Sequence, residues 1–179
     1  MDIRVLLIED APAFQKLRLQ ALRECPTAFS SSYEDECDRS LTAIAERVAP
    51  TAGNAVFGAF DGKKLIGVVG LQRERYRKLA HKAFIWGMYV DPGKRHLGLG
   101  RLLLDRALAH AASMPDLRQV NLFVNAENVA AISLYHAAGF RRFGVERGFM
   151  LVDGVLYDEI HMVIIISNAL KTALYGILI

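Results

Sequence analysis

The chain has 179 residues, enough for one compact domain with a sizeable core and short for two. With 53% hydrophobic and 23% charged residues it is not a disordered chain. A net charge of +3 and a pI near 8.9 suit an anionic small ligand. No basic run interleaved with aromatics supports a nucleic-acid partner.

Ile3 to Ile8 reads as a strand of branched apolar residues. Asp10 then caps a helix that runs to about Glu24, with Phe14, Leu17, Ala21 and Leu22 on one face, and Pro26 ends it. A polar, acid-rich connection follows, and Ser40 caps a second helix through Val48. Two apolar runs around Asp61-Gly62 form a hairpin, and the pair suits a type I′ turn. "KAFIWGMYV" is a strand ending at Val90, followed by a helix from about Gly98 to Ala112 and the strand Gln119 to Val124. A helix from about Asn128 to Ala138 is stopped by Gly139, and two strands close the fold around Asp153-Gly154.

The order β-α-α-β-β-β-α-β-α-β-β predicts an α/β (α+β) fold. Its sheet is mixed, with antiparallel hairpins, one parallel crossover through residues 83 to 124, and helices on both faces. Residues 1–166 form a single domain and 167–179 an apolar helical tail, with no membrane-spanning segment, because polar residues interrupt the tail. Ala169, Leu170, Ala173, Leu174, Ile177 and Leu178 recur at helical spacing on that tail. The stripe has to be covered by its own domain, by a second copy in a homodimer, or by lipid. Cys25 and Cys37 have no CxxC or histidine spacing, so they read as free thiols in a reducing, cytoplasmic setting, and no metal site is expected. The N-terminal apolar run is too short for a signal peptide.

The informative stretch is "VDPGKRHLGLGRLLL", Val90 to Leu104. A helix N-terminus presents unpaired N–H groups and partial positive charge. Gly98 and Gly100 let an anion approach those amides, and Lys94, Arg95 and Arg101 add charge, which makes a phosphate cradle. It is not a P-loop, because no hydroxyl residue follows the lysine, and Leu103 stands where a dinucleotide fingerprint needs its third glycine.

This stretch resembles the acyl-CoA signature of the GNAT superfamily of N-acetyltransferases, [RQ]xxGx[GA] after a strand ending V-x-P, with Arg95, Gly98 and Gly100 in the diagnostic positions. "NVAAISLYHAAGF" resembles the same family's second block at Asn128, Ala131, Leu134, Tyr135, Gly139 and Phe140. The resemblance covers about residues 3 to 166. It implies a GNAT fold with a central splayed parallel pair, and acetyl-CoA as co-substrate with its pyrophosphate on residues 95 to 100. The expected cofactor contacts are Met88, Tyr89, Val90, Arg95, His96, Leu97, Gly98, Leu99, Gly100, Arg101, Asn128 and Tyr135. Tyr135 would act as general acid toward the leaving thiolate, and Asn128 would serve as helix N-cap, cofactor contact or both.

The reaction expected from the resemblance is transfer of acetyl to a primary amine by direct attack, with neither cysteine activated as a nucleophile. Deprotonating a lysine-like amine at neutral pH costs on the order of 4–5 kcal/mol. The strand Ala83 to Val90, where many family members carry a glutamate, has none. Glu34, Glu36, Glu159 and His161 are candidate bases, each also readable as a surface charge. Ser31, Tyr33 and Glu34, in the acid-rich connection, are candidate acceptor contacts. The acceptor stays open between a small-molecule amine and a peptide α-amino group, and a non-catalytic acyl-CoA sensor of the same fold is the alternative outside enzymes.

Overall fold

The computed structural model describes residues 1–174. The strands are β1 (Asp2–Val5), β2 (Asn54–Asp61), β3 (Lys64–Arg73), β4 (Lys82–Val90), β5 (Gln119–Asn125), β6 (Arg141–Val152) and β7 (Val155–Ile165). The helices are α1 (Ala11–Glu24), α2 (Tyr33–Glu36), α3 (Leu41–Val48), α4 (Leu99–Ser113), α5 (Val129–Ala137) and α6 (Asn168–Leu174). The expected element order holds, with the short α2 as an addition inside the acid-rich connection.

Three local boundaries differ from the sequence reading. β1 stops at Val5 because the Asp10 carboxylate accepts the Leu7 N–H and clamps Arg4, winding Ile8–Asp10 into one 3-10 turn. Asp10 therefore stands at the N-cap of α1 without capping it through its side chain. The first hairpin turns one residue later than expected: Asp61 pairs with Lys64, and of Gly62 and Lys63 only Gly62 is left-handed, which rules out type I′. At the second hairpin Asp153 and Gly154 both have positive φ, as type I′ requires. Ser40 caps α3 as expected, accepting the Ala43 N–H.

The seven strands form one sheet in the order β1-β2-β3-β4-β5-β7-β6. All neighbours are antiparallel except β4 and β5, which pair in parallel only over Lys82–Phe84 and Gln119–Asn121. Beyond Phe84 a bulge in β4 sets Gly87 and Met88 against the single residue Val69 of β3. β5 meanwhile keeps its pairing to β7 as far as Asn125. The two parallel strands therefore part, leaving a wedge open toward the end of the sheet where α4 begins.

Alternation along the strands feeds two cores. Phe57, Val69 and Ile85 pack with Leu103, Leu104 and Leu108 of α4 on one face. Val56, Val68 and Tyr89 pack with Phe14 and Leu22 of α1 and Ile44 of α3 on the other. Gly70 is required by close approach: a Cβ there would lie 2.1 Å from Cε2 of Trp86. Leu174 of α6 is buried in the α4-side core and Leu170 packs against it, while Ile177 and Leu178 lie outside the described residues. Among the described residues no helix is long and apolar enough to cross a membrane.

Candidate active site

The wedge between β4 and β5 is a cavity of about 580 Å³. Its walls are the end of β4, the glycine loop, the start of α4, the end of β5 and one face of α5. Separated strands carry backbone groups that no neighbouring strand satisfies, so an elongated ligand with amide groups can pair there as an added strand.

At the mouth of the wedge the loop turns sharply. His96 has φ +62° and Gly98 φ +76°, and Gly98 is the N-cap of α4. A Cβ on Gly98 would meet nothing within 4 Å, so glycine stands there for its backbone conformation and not for space. Left-handed residues alternating with others aim successive N–H groups toward one side, and the first-turn amides of α4 have no partner a turn earlier. These groups make an anion cradle that borders the cavity.

Lys94, Arg95 and Arg101 all border the cavity, and each has a partner within the chain. Lys94 is paired with Asp61 at 2.7 Å, and Arg101 with Asp105 at 2.8 Å while also donating to the Ala137 carbonyl. Arg95 Nε donates to the Val90 carbonyl at 3.0 Å, tying the loop to β4. The backbone amides are thus the preformed part of the cradle, and the exposed ion pairs are weak enough to re-form around a phosphate. Gly100 borders the cavity, and its Cβ would touch Leu134 and Met88 at 3.4 Å, so it also lets α4, α5 and β4 pack closely. Leu97 is exposed and does not border the cavity. Tyr89 borders it, but its side chain belongs to the opposite core and its hydroxyl donates to Glu24.

Tyr135 is buried on α5 and borders the wedge beside Met88, with Phe140 edge-on to its ring. Its hydroxyl donates to the Met88 sulfur at 3.5 Å. Burial alone pushes the phenol up to about 12, so it holds its proton through the neutral range. Asn128 caps α5 by accepting the Ala131 N–H at 3.1 Å and also borders the cavity.

A second cavity, of about 950 Å³, opens behind the first and shares Ile85, Trp86, Gly87, Phe123 and Asn125 with it. One wall is the α1–α3 region and the other is β6–β7. Of the expected acceptor contacts, Ser31 borders this cavity, whereas Tyr33 and Glu34 border neither. Tyr33 lies under the Arg23 guanidinium, and Glu34 is exposed on α2.

Glu36 is neither a surface charge nor a free base. It is 1% exposed and bonded to Arg18 at 2.9 Å, Arg47 at 2.9 Å and Ser31 at 2.5 Å. Burial opposes its ionisation, but the hydrogen bonds from Arg18 and Ser31 and the two guanidinium charges outweigh that and hold it at about 2. On the opposite wall, His161 Nε2 lies 3.6 Å from Glu159 and 3.7 Å from Glu146. Burial, and then the Glu146 charge, push Glu159 up to about 7.

Asn125, Trp86 and Glu146 were not singled out in the sequence. Asn125 donates to the Thr27 carbonyl and accepts the Glu127 N–H, locking the β5 end to the connection after α1. Only the rule that cross-strand partners share a face could have coupled Glu146 to Glu159, and it needs the register.

An acyl-CoA fits these features. The left-handed glycine at the helix mouth suits a pyrophosphate, the parted strands suit an amide-bearing arm, and a protonated phenol borders the wedge. Mycothiol acetyltransferase of Geodermatophilus obscurus is 37% identical over 94 residues, 50% of this chain and 30% of that protein. N-alpha-acetyltransferase RimI of Mycobacterium tuberculosis is 34% identical over 102 residues, 56% of this chain and 61% of that protein. The matched segments span less than two thirds of either relative's length. The structure of yncA from Salmonella typhimurium, solved with its cofactor acetyl-CoA, superposes with a TM-score of 0.81 at 21% identity, covering 94% of this chain and 95% of that one. The Acetyltransferase (GNAT) family profile matches residues 18–140, from within α1 to the residue before β6. With that match lying over this splayed sheet and glycine loop, the chain belongs to the GNAT acetyltransferase family.

Proposed function

We propose that the chain transfers acetyl from acetyl-CoA to a primary amine by direct attack, using the wedge for the donor and the second cavity for the acceptor. The observation that carries this reading is the buried Tyr135 hydroxyl bordering the wedge, 3.5 Å from Met88 where β4 bulges away from β5. Bound acetyl-CoA supplies an activated thioester carbonyl. The chain's own groups do the rest. The amides of the loop and of the first turn of α4 hold the pyrophosphate, and the backbone of Met88 and Val90 pairs with the pantetheine arm. A backbone N–H of the bulged segment polarises the carbonyl, and Tyr135 delivers a proton to the departing sulfur.

Cys25 and Cys37 are both free; Cys25 accepts from the Arg95 guanidinium and Cys37 donates to the Glu34 carbonyl. Among the described residues no base is hydrogen-bonded to either, which supports direct transfer over an acyl-enzyme. Free thiols also suit a reducing cytoplasm. The acceptor reading covers small-molecule amines and peptide N-termini alike. The relative named as an N-alpha-acetyltransferase keeps the second of these in view. A thiol-release assay over a panel of amines and peptides, with acetyl-CoA binding measured in parallel, tests the proposal. Turnover of a primary amine is the expected result. Binding without turnover on every acceptor would make the chain an acyl-CoA sensor.

A further inference from the structure

We infer that Glu159 is the catalytic base, taking the proton of the incoming ammonium at the junction of the two cavities, and that Glu146 is a positioning residue acting through it. This rests on the amine-acetylating function proposed above.

The argument begins with elimination among the carboxylates around the second cavity. β4 carries no acid. Glu36 is saturated by Arg18, Arg47 and Ser31. Asp158 accepts from Arg147 and from the Gly148 N–H, and Asp35 accepts the Ser32 N–H in the turn that starts α2. Glu146 has a side chain 54% exposed. Glu159 differs from all of them. Its side chain is 13% exposed, it borders the cavity, and among the described residues no lysine or arginine is hydrogen-bonded to it.

Register supplies its position. Glu159 of β7 stands directly opposite Asn125 of β5, and Asn125 borders both cavities. Side chains of directly opposed residues share a face and have Cβ atoms about 4.5–5.5 Å apart. The carboxylate therefore flanks the opening through which an acceptor nitrogen reaches the donor. Glu146 directly opposite on β6 and His161 two residues along its own strand share the face of Glu159, and Tyr157 and Asp158 line the same cavity. Neutral Asn125 faces it from β5, and Asp35, Glu36, Arg18, Arg39 and Arg47 lie across the cavity. Arg147 is committed to Asp158, so the immediate surroundings of Glu159 are net acidic and attract a cation. Burial and Glu146 also bring its titration to about 7, near the optimum for a base at neutral pH.

The proton count closes. The ammonium gives one proton to Glu159, and the N–H pair stays on nitrogen as the attacking lone pair. As the C–N bond forms, the C–S pair leaves with sulfur, which takes the Tyr135 proton. The second proton shed by nitrogen restores Tyr135, and Glu159 releases its own to solvent. Each turnover yields one amide, one thiol and one proton.

The test is the pH dependence of kcat/KM for the full-length chain with phenethylamine, spermidine and a short peptide with a free N-terminus as probes. The expected wild-type profile rises with pH and bends near 7. In Glu159→Gln the rate at pH 7 falls by about 10²-fold, the bend near 7 disappears, and the profile climbs toward the amine's own pKa, about 10 for the two alkylamines and about 8 for the peptide. Acetyl-CoA affinity stays unchanged. Glu159→Asp restores a bend at reduced rate, and Glu146→Gln moves the bend to lower pH because it removes the charge that raises Glu159. A folded Glu159→Gln chain that keeps the wild-type rate and bend overturns the inference alone. A wild-type chain that binds acetyl-CoA and turns over none of the probes overturns the functional reading and this inference together.

Discussion

The Tyr135 hydroxyl and the Met88 sulfur lie 3.5 Å apart, joining α5 to β4 beside the cavity. A thioether is a weak acceptor, so the phenol gives up little when it turns toward another sulfur in the wedge. Burial keeps it protonated up to about 12. Tyr135→Phe should lower kcat by about 10²-fold with acetyl-CoA affinity nearly unchanged. No alkaline loss of wild-type activity should trace to this phenol below about pH 11. Steady-state kinetics beside calorimetric binding checks both, and equal kcat in the phenylalanine variant would assign the proton to water.

Gly98 tests the cradle. Its φ of +76° disfavours any L side chain, and a β-branched one most of all. Gly98→Val should weaken acetyl-CoA binding at least tenfold, about 1.4 kcal/mol. Gly98→Asn should lose less, since asparagine enters the left-handed region more readily. Equal affinity in all three folded proteins would remove the amides of this loop from the donor site.

How legible the two halves of the site were follows from how their residues are spread along the chain. The proposed donor half lies in two nearly continuous stretches, Val90 to Leu104 and Asn128 to Phe140, so the resemblance to the family's two local blocks brought its parts together. Even there, the inward packing of Gly100 against Leu134 and Met88 depends on a contact between helices that no local pattern encodes. The acceptor half draws Arg18, Ser31, Glu36, Glu146 and Glu159 from α1, the connection after it, β6 and β7. In sequence Glu36 is one acid among several in "YEDECD", and only the arginines from α1 and α3 distinguish it. The missed turn at Gly62-Lys63 has a similar origin. An irregularity at Ala59/Phe60 shifts the register that the Asp-Gly pair alone seemed to define.

Glu36 also supports a stability prediction. Its pKa in the folded chain, about 2, is below the ordinary value of 4.5, so its contribution is complete above about pH 4.5 and is lost as pH falls toward 2. Removing one member of a buried ionic cluster leaves its partners uncompensated. Glu36→Gln should therefore cost about 3–5 kcal/mol at pH 7, and the difference from wild type should narrow as the pH approaches 2. Chemical denaturation across that range measures it. A constant gap at every pH would show that the loss comes from shape and not from charge.

The tail is the last test. Leu174 is 7% exposed in the α4-side core and Leu170 packs on the same surface, so this part of the apolar stripe is covered by the chain's own domain. Burying a leucine side chain contributes about 1.5–3 kcal/mol. The seven described residues of α6 are too few to be a stable helix in isolation, and they pack against α4. Truncation after Ile166 removes that contact and uncovers the α4 surface beneath it. The shortened chain should melt several degrees lower, with its oligomeric state unchanged and its acetyl-CoA affinity preserved, because α6 borders neither cavity. Calorimetry, light scattering and a binding isotherm read the three quantities. An unchanged melting temperature would mean that α6 contributes nothing to the core. A dimer that dissociates on truncation would instead place the stripe at an interface between two copies.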